Sequence, residues 1–223
     1  MDGNGRWARQ RGLDRVQGHI EGVKSVRAVT EKCVELGVKY LSLYAFSEEN
    51  WNRPGEEVSA LMSLLAKCMI QEYNTLMDNG VRFRVLGNRS RLAPDLNDAI
   101  TNLEKATENN PNTTMLIMLS YSGKWDILQA AKSIAREYAS CPERIDSLDF
   151  RDIDSRLVTA GVPDPDLIIR TSGEQRLSNY LLWQSAYSEF LFSPLLWPDF
   201  RKEAFFAALE EFSKRDRRYG KVK

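Results

Sequence analysis

The chain has 223 residues, 43% of them hydrophobic and 28% charged, with 31 Lys and Arg balanced by 31 Asp and Glu. Those fractions exclude a disordered chain, and a chain that buries roughly 70% of its unfolded surface needs no disulfide or metal staple. The zero net charge argues against nucleic acid as a partner, and no apolar run approaches the roughly 20 residues of a membrane span. Residues 1–18, rich in Gly and Arg, read as a loop. His19 to Leu36 has helical periodicity through Ile20, Val23, Val26, Val29 and Val34, and Gly37 ends it. Val38 to Phe46 reads as a buried strand. Pro54 starts a long helix over 54–79, with an apolar stripe through Val58, Leu61, Leu65, Met69, Tyr73 and Leu76. A strand at Val81 to Leu86, a polar helix near 92–109, a strand at Met115 to Leu119 and a helix at Trp125 to Tyr138 follow. The acidic stretch 143–166 holds a short helix around Ile153 to Thr159. The remaining elements are a strand at Leu167 to Ile169 ending at Arg170, a helix within 178–187, a strand at 189–192 and a last helix at 201–216.

Strands alternating with helices at this spacing predict an α/β fold, a mostly parallel central sheet flanked by helices, in a single domain. In such sheets ligands sit beyond the carboxyl ends of the strands. The three cysteines, Cys33, Cys68 and Cys141, match no metal spacing and read as reduced thiols of a cytoplasmic protein.

Three clusters fall at the predicted ligand positions. The first is Asp2-Gly3-Asn4-Gly5-Arg6-Trp7, continuing to Arg15 and His19. Its glycines let the backbone approach an anion, its arginines are planar forks suited to phosphate, and the following helix points its positive end the same way. A carboxylate beside a phosphate site suits Mg²⁺, which is held by one or two carboxylates plus substrate phosphates, so Asp2 is a candidate ligand. The second cluster, Ser47-Glu48-Glu49-Asn50-Trp51-Asn52-Arg53-Pro54, joins a strand to the long helix. The third, Arg170-Thr171-Ser172-Gly173-Glu174-Gln175-Arg176-Leu177-Ser178-Asn179, again follows a strand, and Glu189 beyond it is a candidate second carboxylate for the cation. Each cluster alone reads equally well as a solvated loop. Together they describe a site for two highly charged phosphate groups and one hard cation. The 54–79 stripe, with Met62, Met69 and Met77, reads as ordinary core or as the wall of a groove for a hydrocarbon tail.

These motifs, with Gly18-His19, Tyr44-Ala45-Phe46, Tyr121-Ser122-Gly123-Lys124-Trp125-Asp126 and Leu196-Trp197-Pro198-Asp199-Phe200, resemble the cis-prenyltransferases of the undecaprenyl diphosphate synthase type over essentially the whole chain. The resemblance implies condensation of isopentenyl diphosphate onto an allylic diphosphate, with a hydrophobic tunnel between sheet and helices. It implies Asp2 and Asn50 as catalytic residues, Asp2 on Mg²⁺ and Asn50 at the isopentenyl proton. Gly3, Asn4, Gly5, Arg6, Arg15 and His19 then hold the allylic diphosphate, and Trp7 packs near the prenyl chain. Ser47, Glu48, Glu49, Trp51 and Arg53 surround Asn50. Arg170, Arg176, Leu177 and Ser178 bind isopentenyl diphosphate, and Glu189 completes the Mg²⁺ site, beside Asp2 or across a homodimer. Arg218-Tyr219-Gly220 looks like the element by which family members reach a partner's site. A lipid product implies peripheral membrane contact.

Family members also carry a buried strand before the aspartate, so the resemblance implies a first strand that these residues do not include. Ser120 and Lys124 stand where members often have Asn and Arg, and Thr113 falls near the position that can floor the tunnel. Other readings stay open: a short-chain relative of terpenoid metabolism, a non-catalytic partner subunit, or a phosphate-binding module. The retained Asp2-Gly3-Asn4-Gly5-Arg6 loop counts against the partner subunit, and the module predicts no use for Asp2, Asn50 and Glu189 as a set.

Overall fold

In a computed structural model, which describes residues 1–217, the strand with the longest apolar run becomes the centre of the sheet. β3 (Thr114–Tyr121) is buried from Met115 onward and pairs in parallel with β1 (Tyr40–Ser47) on one side and β2 (Arg82–Leu86) on the other. Only a strand covered on both faces carries such a continuous hydrophobic stretch. The register runs Tyr40↔Thr114 through Tyr44↔Met118 and then slips at Ala45. A bulge there re-aims the end of β1, where the Ser47 loop begins.

Helices cover both faces. On one, α2 (Arg15–Leu36), α3 (Gly55–Gln71), α5 (Pro94–Thr107) and α8 (Lys202–Ser213) enclose a core of Val29, Leu43, Phe83, Ile100 and Phe205. On the other, Trp125 of α6 (Gly123–Tyr138) and Tyr180 pack on Leu116, Met118 and Tyr121. The expected parallel sheet flanked by helices is therefore present, but it is divided. β4 (Leu167–Arg170) and β5 (Glu189–Phe192) form a separate two-stranded parallel sheet among the described residues.

Several boundaries differ from the periodicity. Residues 4–10 are not loop but a short helix, α1 (Asn4–Gln10). It is held by a face of α2 that hydropathy does not register: Gly18 and Gly22 are buried against Asn4, whereas Ile20 is 40% exposed. The long helix breaks at Glu72 into α3 and α4 (Tyr73–Asp78), where Arg27 on α2 draws the Glu72 carboxylate into a bidentate ion pair (3.0 and 2.5 Å). No helix forms over 178–187, because Ser178, Asn179 and Leu181 take left-handed φ values of 49°, 63° and 44°. In the acidic stretch the helix is α7 (Phe150–Asp154), earlier than expected, because Asp149 and Asp152 form a capping box that starts it there. Arg218-Tyr219-Gly220 lies outside the described residues. No helix among the described residues is long and apolar enough to cross a membrane.

Candidate active site

The loops after β1 and β4 and the turn before α1 meet at one end of a cavity of about 1520 Å³. That exceeds the roughly 300–1,000 Å³ of ordinary small-molecule pockets. Beyond its polar mouth the walls are apolar: Val23 and Val26 of α2, Leu43 of β1, and Leu61, Leu65 and Met69 of α3. The stripe on 54–79 thus lines a tunnel as well as core, although Met77 is 37% exposed and stands outside it.

Asp2 is fixed through its backbone. Its N–H donates to Thr171 Oγ1 (2.9 Å), and its carbonyl accepts from Thr171 Oγ1 (2.8 Å) and from the Trp197 N–H (2.9 Å). The carboxylate is left for two arginines: Arg170 donates to Oδ2 (2.9 Å) and Arg6 lies 3.4 Å from Oδ1. Burial pushes this carboxyl up, but the Arg170 hydrogen bond and the Arg170 and Arg6 charges overcome it and hold it below its usual range. Arg6 also reaches Glu174 (3.0 Å) and Ser172 Oγ, so it bridges the first and third clusters. Arg170 donates to Ser178 Oγ (2.9 Å) and to the Arg176 carbonyl (2.7 Å), which folds the third cluster over it. Its Nε is buried and makes no hydrogen bond, a donor that an anionic oxygen would satisfy.

Gly3 needs its freedom: φ is 107°, and a Cβ would stand 2.9 Å from Leu196. Arg15 and Arg53 converge on Glu57 (3.2 and 3.0 Å). His19 lies beside them, its pKa lowered to about 4 by burial and by the Arg53 and Arg15 charges, so its ring is neutral at pH 7. Ser47 and Asn50 form a capping box at a 3-10 turn over Glu48–Asn52, the Ser47 N–H donating to Asn50 Oδ1 (3.1 Å). Asp2, Gly3, Asn4, Gly5, Arg6, Arg15, His19, Ser47, Asn50, Arg53, Arg170, Arg176, Leu177 and Ser178 all line the cavity.

Other candidates sit elsewhere. Trp7 is outside the cavity wall, its Nε1 donating to Asp199 (2.8 Å) with Arg11 over its ring at 4.1 Å. Glu48 and Trp51 face Ser120: Trp51 Nε1 donates to Ser120 Oγ (2.8 Å), Ser120 Oγ donates to Glu48 (2.5 Å), and Arg91 covers Trp51 at 4.6 Å. They anchor the turn that presents Asn50. Glu49 faces Asn179 (2.6 Å). Thr113 is not a tunnel-floor residue; it is buried and donates to the Val38 carbonyl (2.8 Å). Glu189 is not beside Asp2. It pairs with Leu167 at the far end of β4, three steps of about 3.3 Å from Arg170, and Arg215 holds it at 3.1 Å. Sequence reasoning places Thr171, Ser172 and Asn179 in the third cluster but gives them no individual role. Their site positions come from left-handed turns and backbone hydrogen bonds, which hydropathy does not register.

As for a cation, no group of three or more His, Cys, Asp or Glu residues suited to a metal occurs among the described residues. Asp2 alone, with two hard oxygens at the mouth, fits an ion that arrives with substrate phosphates.

Residues 1–220 match the prenyltransferase family model described as undecaprenyl diphosphate synthase. An isoprenyl transferase of Agrobacterium fabrum is 49% identical over 99% of this chain and 89% of its own. A Pseudomonas aeruginosa protein named ditrans,polycis-undecaprenyl-diphosphate synthase, (2E,6E)-farnesyl-diphosphate specific, is 49% identical over 100% of this chain and 88% of its own. Among solved structures, lavandulyl diphosphate synthase from Lavandula x intermedia, in complex with dimethylallyl diphosphate, matches with a TM-score of 0.95 at 34% identity, over 99% of this chain and 95% of that one. A probable undecaprenyl diphosphate synthase from Campylobacter jejuni matches with a TM-score of 0.80 at 33% identity, over 90% and 92%.

Proposed function

The chain belongs to the undecaprenyl diphosphate synthase family of prenyltransferases, and from that membership we propose that it condenses isopentenyl diphosphate onto farnesyl diphosphate, with new cis double bonds, to give undecaprenyl diphosphate. The observation that carries this reading is a carboxylate held between two arginines at the mouth of a long apolar cavity.

In the reaction the allylic C–O bond breaks and diphosphate leaves with the electron pair. The isopentenyl double bond attacks the allylic carbon, and isopentenyl C2 gives up a proton to a diphosphate oxygen, the electron pair of that C–H bond forming the new double bond. Gly3, Asn4, Gly5 and Arg6 hold the allylic diphosphate with Arg15 and His19. Arg6 and Arg170 meet the charge that grows on the leaving group, usually the largest contribution in such sites. His19, neutral, offers an N–H donor rather than a charge. Arg170, Arg176 and Ser178 hold the isopentenyl diphosphate, and Ser47 and Asn50 face the carbon that loses its proton. Mg²⁺ on Asp2 would neutralise the leaving diphosphate. Glu189 joins a cation only if two chains associate so that one Glu189 approaches the other chain's Asp2; a homodimer is part of this proposal. The elongating chain slides into the cavity, where apolar walls resist little, and its release would bring the protein to a membrane surface from the cytoplasm.

A second reading is a single-condensation enzyme of terpenoid metabolism, favoured by the fit to lavandulyl diphosphate synthase at a TM-score of 0.95. The 1520 Å³ cavity favours the longer product. Purified protein is incubated with farnesyl diphosphate and labelled isopentenyl diphosphate, with Mg²⁺ or with chelator. Label in a long polyprenyl product with Mg²⁺ alone is expected. A product one unit longer than the primer supports the second reading, and no incorporation overturns both.

A further inference from the structure

On the functional reading above, isopentenyl diphosphate is gripped at two ends by two different loops. Its diphosphate lies against Arg170, Arg176 and Ser178 after β4. Its reacting carbon lies against Asn50 after β1. The substrate between them is five carbons long, so the spacing of the two loops must be held to within a fraction of an ångström for reaction to proceed. Arg170 and the Ser47–Asn50 capping box each order their own loop. Neither joins one loop to the other.

Asn179 does. Its side-chain Nδ2 donates to Glu49 Oε1 at 2.6 Å, on the residue before Asn50. Its Oδ1 accepts the backbone N–H of Lys124 at 2.9 Å, and its carbonyl accepts the N–H of Gly123 at 2.7 Å, both in the first turn of α6 after β3. One residue therefore touches the loops beyond β1 and β3 while sitting in the loop beyond β4. It follows Ser178 directly, and both occupy left-handed φ (49° and 63°), a region Asn tolerates better than most residues. Burial pushes the Glu49 carboxyl up, but hydrogen bonds from Asn179, from its own backbone N–H and from Ser47, with the nearby Lys124 charge, bring it below its usual range, so it accepts as a carboxylate.

We propose that Asn179 is a positioning residue for this reaction, which sets the distance between the isopentenyl diphosphate grip and the Asn50 turn by clamping Glu49 to the head of α6. It touches no reacting atom and acts through Glu49. The clamp is directional, since Asn supplies one acceptor to Lys124 and one donor to Glu49. Asn179→Asp keeps the acceptor and a side chain suited to left-handed φ, but sets a second carboxylate against Glu49. Adding Glu49→Gln then returns a donor, because the side-chain amide it introduces can donate to the new carboxylate.

The experiment is a double-mutant cycle on the full chain, with kcat and KM for both diphosphates and thermal unfolding for each variant. Asn179→Asp should lower kcat/KM for isopentenyl diphosphate about ten-fold or more, leaving KM for farnesyl diphosphate within about two-fold. The Asn179→Asp, Glu49→Gln double variant should recover most of that loss and surpass Asn179→Asp alone. Asn179→Gly, which keeps the backbone conformation and removes the clamp, should show the same selective loss. Wild-type kinetics in Asn179→Gly, or a double variant no better than Asn179→Asp, overturns the proposal. An inactive wild-type chain would instead refute the functional reading, and the unfolding cycle would still report whether residues 49 and 179 are coupled.

Discussion

Replacing Gly18 by alanine sets two effects of opposite sign against each other. In an exposed helix interior, alanine is favoured over glycine by about 1 kcal/mol. At position 18, however, a Cβ would stand 2.0 Å from the Asn4 carbonyl oxygen and 2.7 Å from its carbon. Both are backbone atoms in the first turn of α1, not the end of a flexible side chain. Relief to an ordinary separation of about 3.5 Å moves that turn by more than about 1 Å. Forced overpacking costs about 1–3 kcal/mol, so the net loss of stability is about 0–2 kcal/mol and the propensity gain is cancelled. Activity suffers more, because α1 carries Arg6 and follows directly on Gly3, and a displacement of about 1 Å in a positioned group can cost about 100-fold. The assay is urea denaturation beside label incorporation, with Gly55→Ala as the control, since a Cβ there meets nothing within 4 Å. A Gly18→Ala protein more stable than wild type by about 1 kcal/mol, turning over at the wild-type rate, refutes the close-packing argument.

Ser120→Ala removes the hydroxyl between Trp51 and Glu48. It should cost about 1–3 kcal/mol in denaturation and lower kcat through the loosened Asn50 turn; an unchanged midpoint contradicts the anchoring role. His19 has a pKa of about 4 when folded against an ordinary value of 6.5. Between those values the unfolded chain binds the extra proton, so stability is full above pH 6.5 and falls as pH drops toward 4, by up to ~1.4 kcal/mol per pH unit. His19→Gln should flatten that slope, and an identical pH profile in both proteins would exclude His19 as its source. Leu61→Trp fills part of the cavity and should shorten the products seen by chromatography; an unchanged length distribution contradicts the tunnel assignment.

The strands are legible because burial on both faces writes itself into Met115 to Leu119 as an unbroken apolar run. The clusters at their ends are legible because glycine, arginine and serine have few other reasons to gather there. What hydropathy misses is packing by absence. Gly18 and Gly22 form the face on which α1 sits, and a small residue carries no hydrophobic signal. The helix expected over 178–187 fails for a related reason: its composition suits a helix, but left-handed residues at 178, 179 and 181 answer to hydrogen bonds from distant loops. Linear spacing from Ser178 to Glu189 says nothing about register against β4: Glu189 opens the strand as expected, but it pairs with Leu167, away from Arg170 and the Asp2 that Arg170 holds.

Asp2 is paired with Arg170 and Arg6, and the proposed function assigns the three together to the departing diphosphate. The direct test is the rate of label incorporation from farnesyl and isopentenyl diphosphates, in Mg²⁺, by the wild-type chain and by Asp2→Ala, with thermal unfolding to confirm that both are folded. A folded Asp2→Ala protein at least about 100-fold slower is the predicted result; a folded variant with a near-normal rate contradicts it.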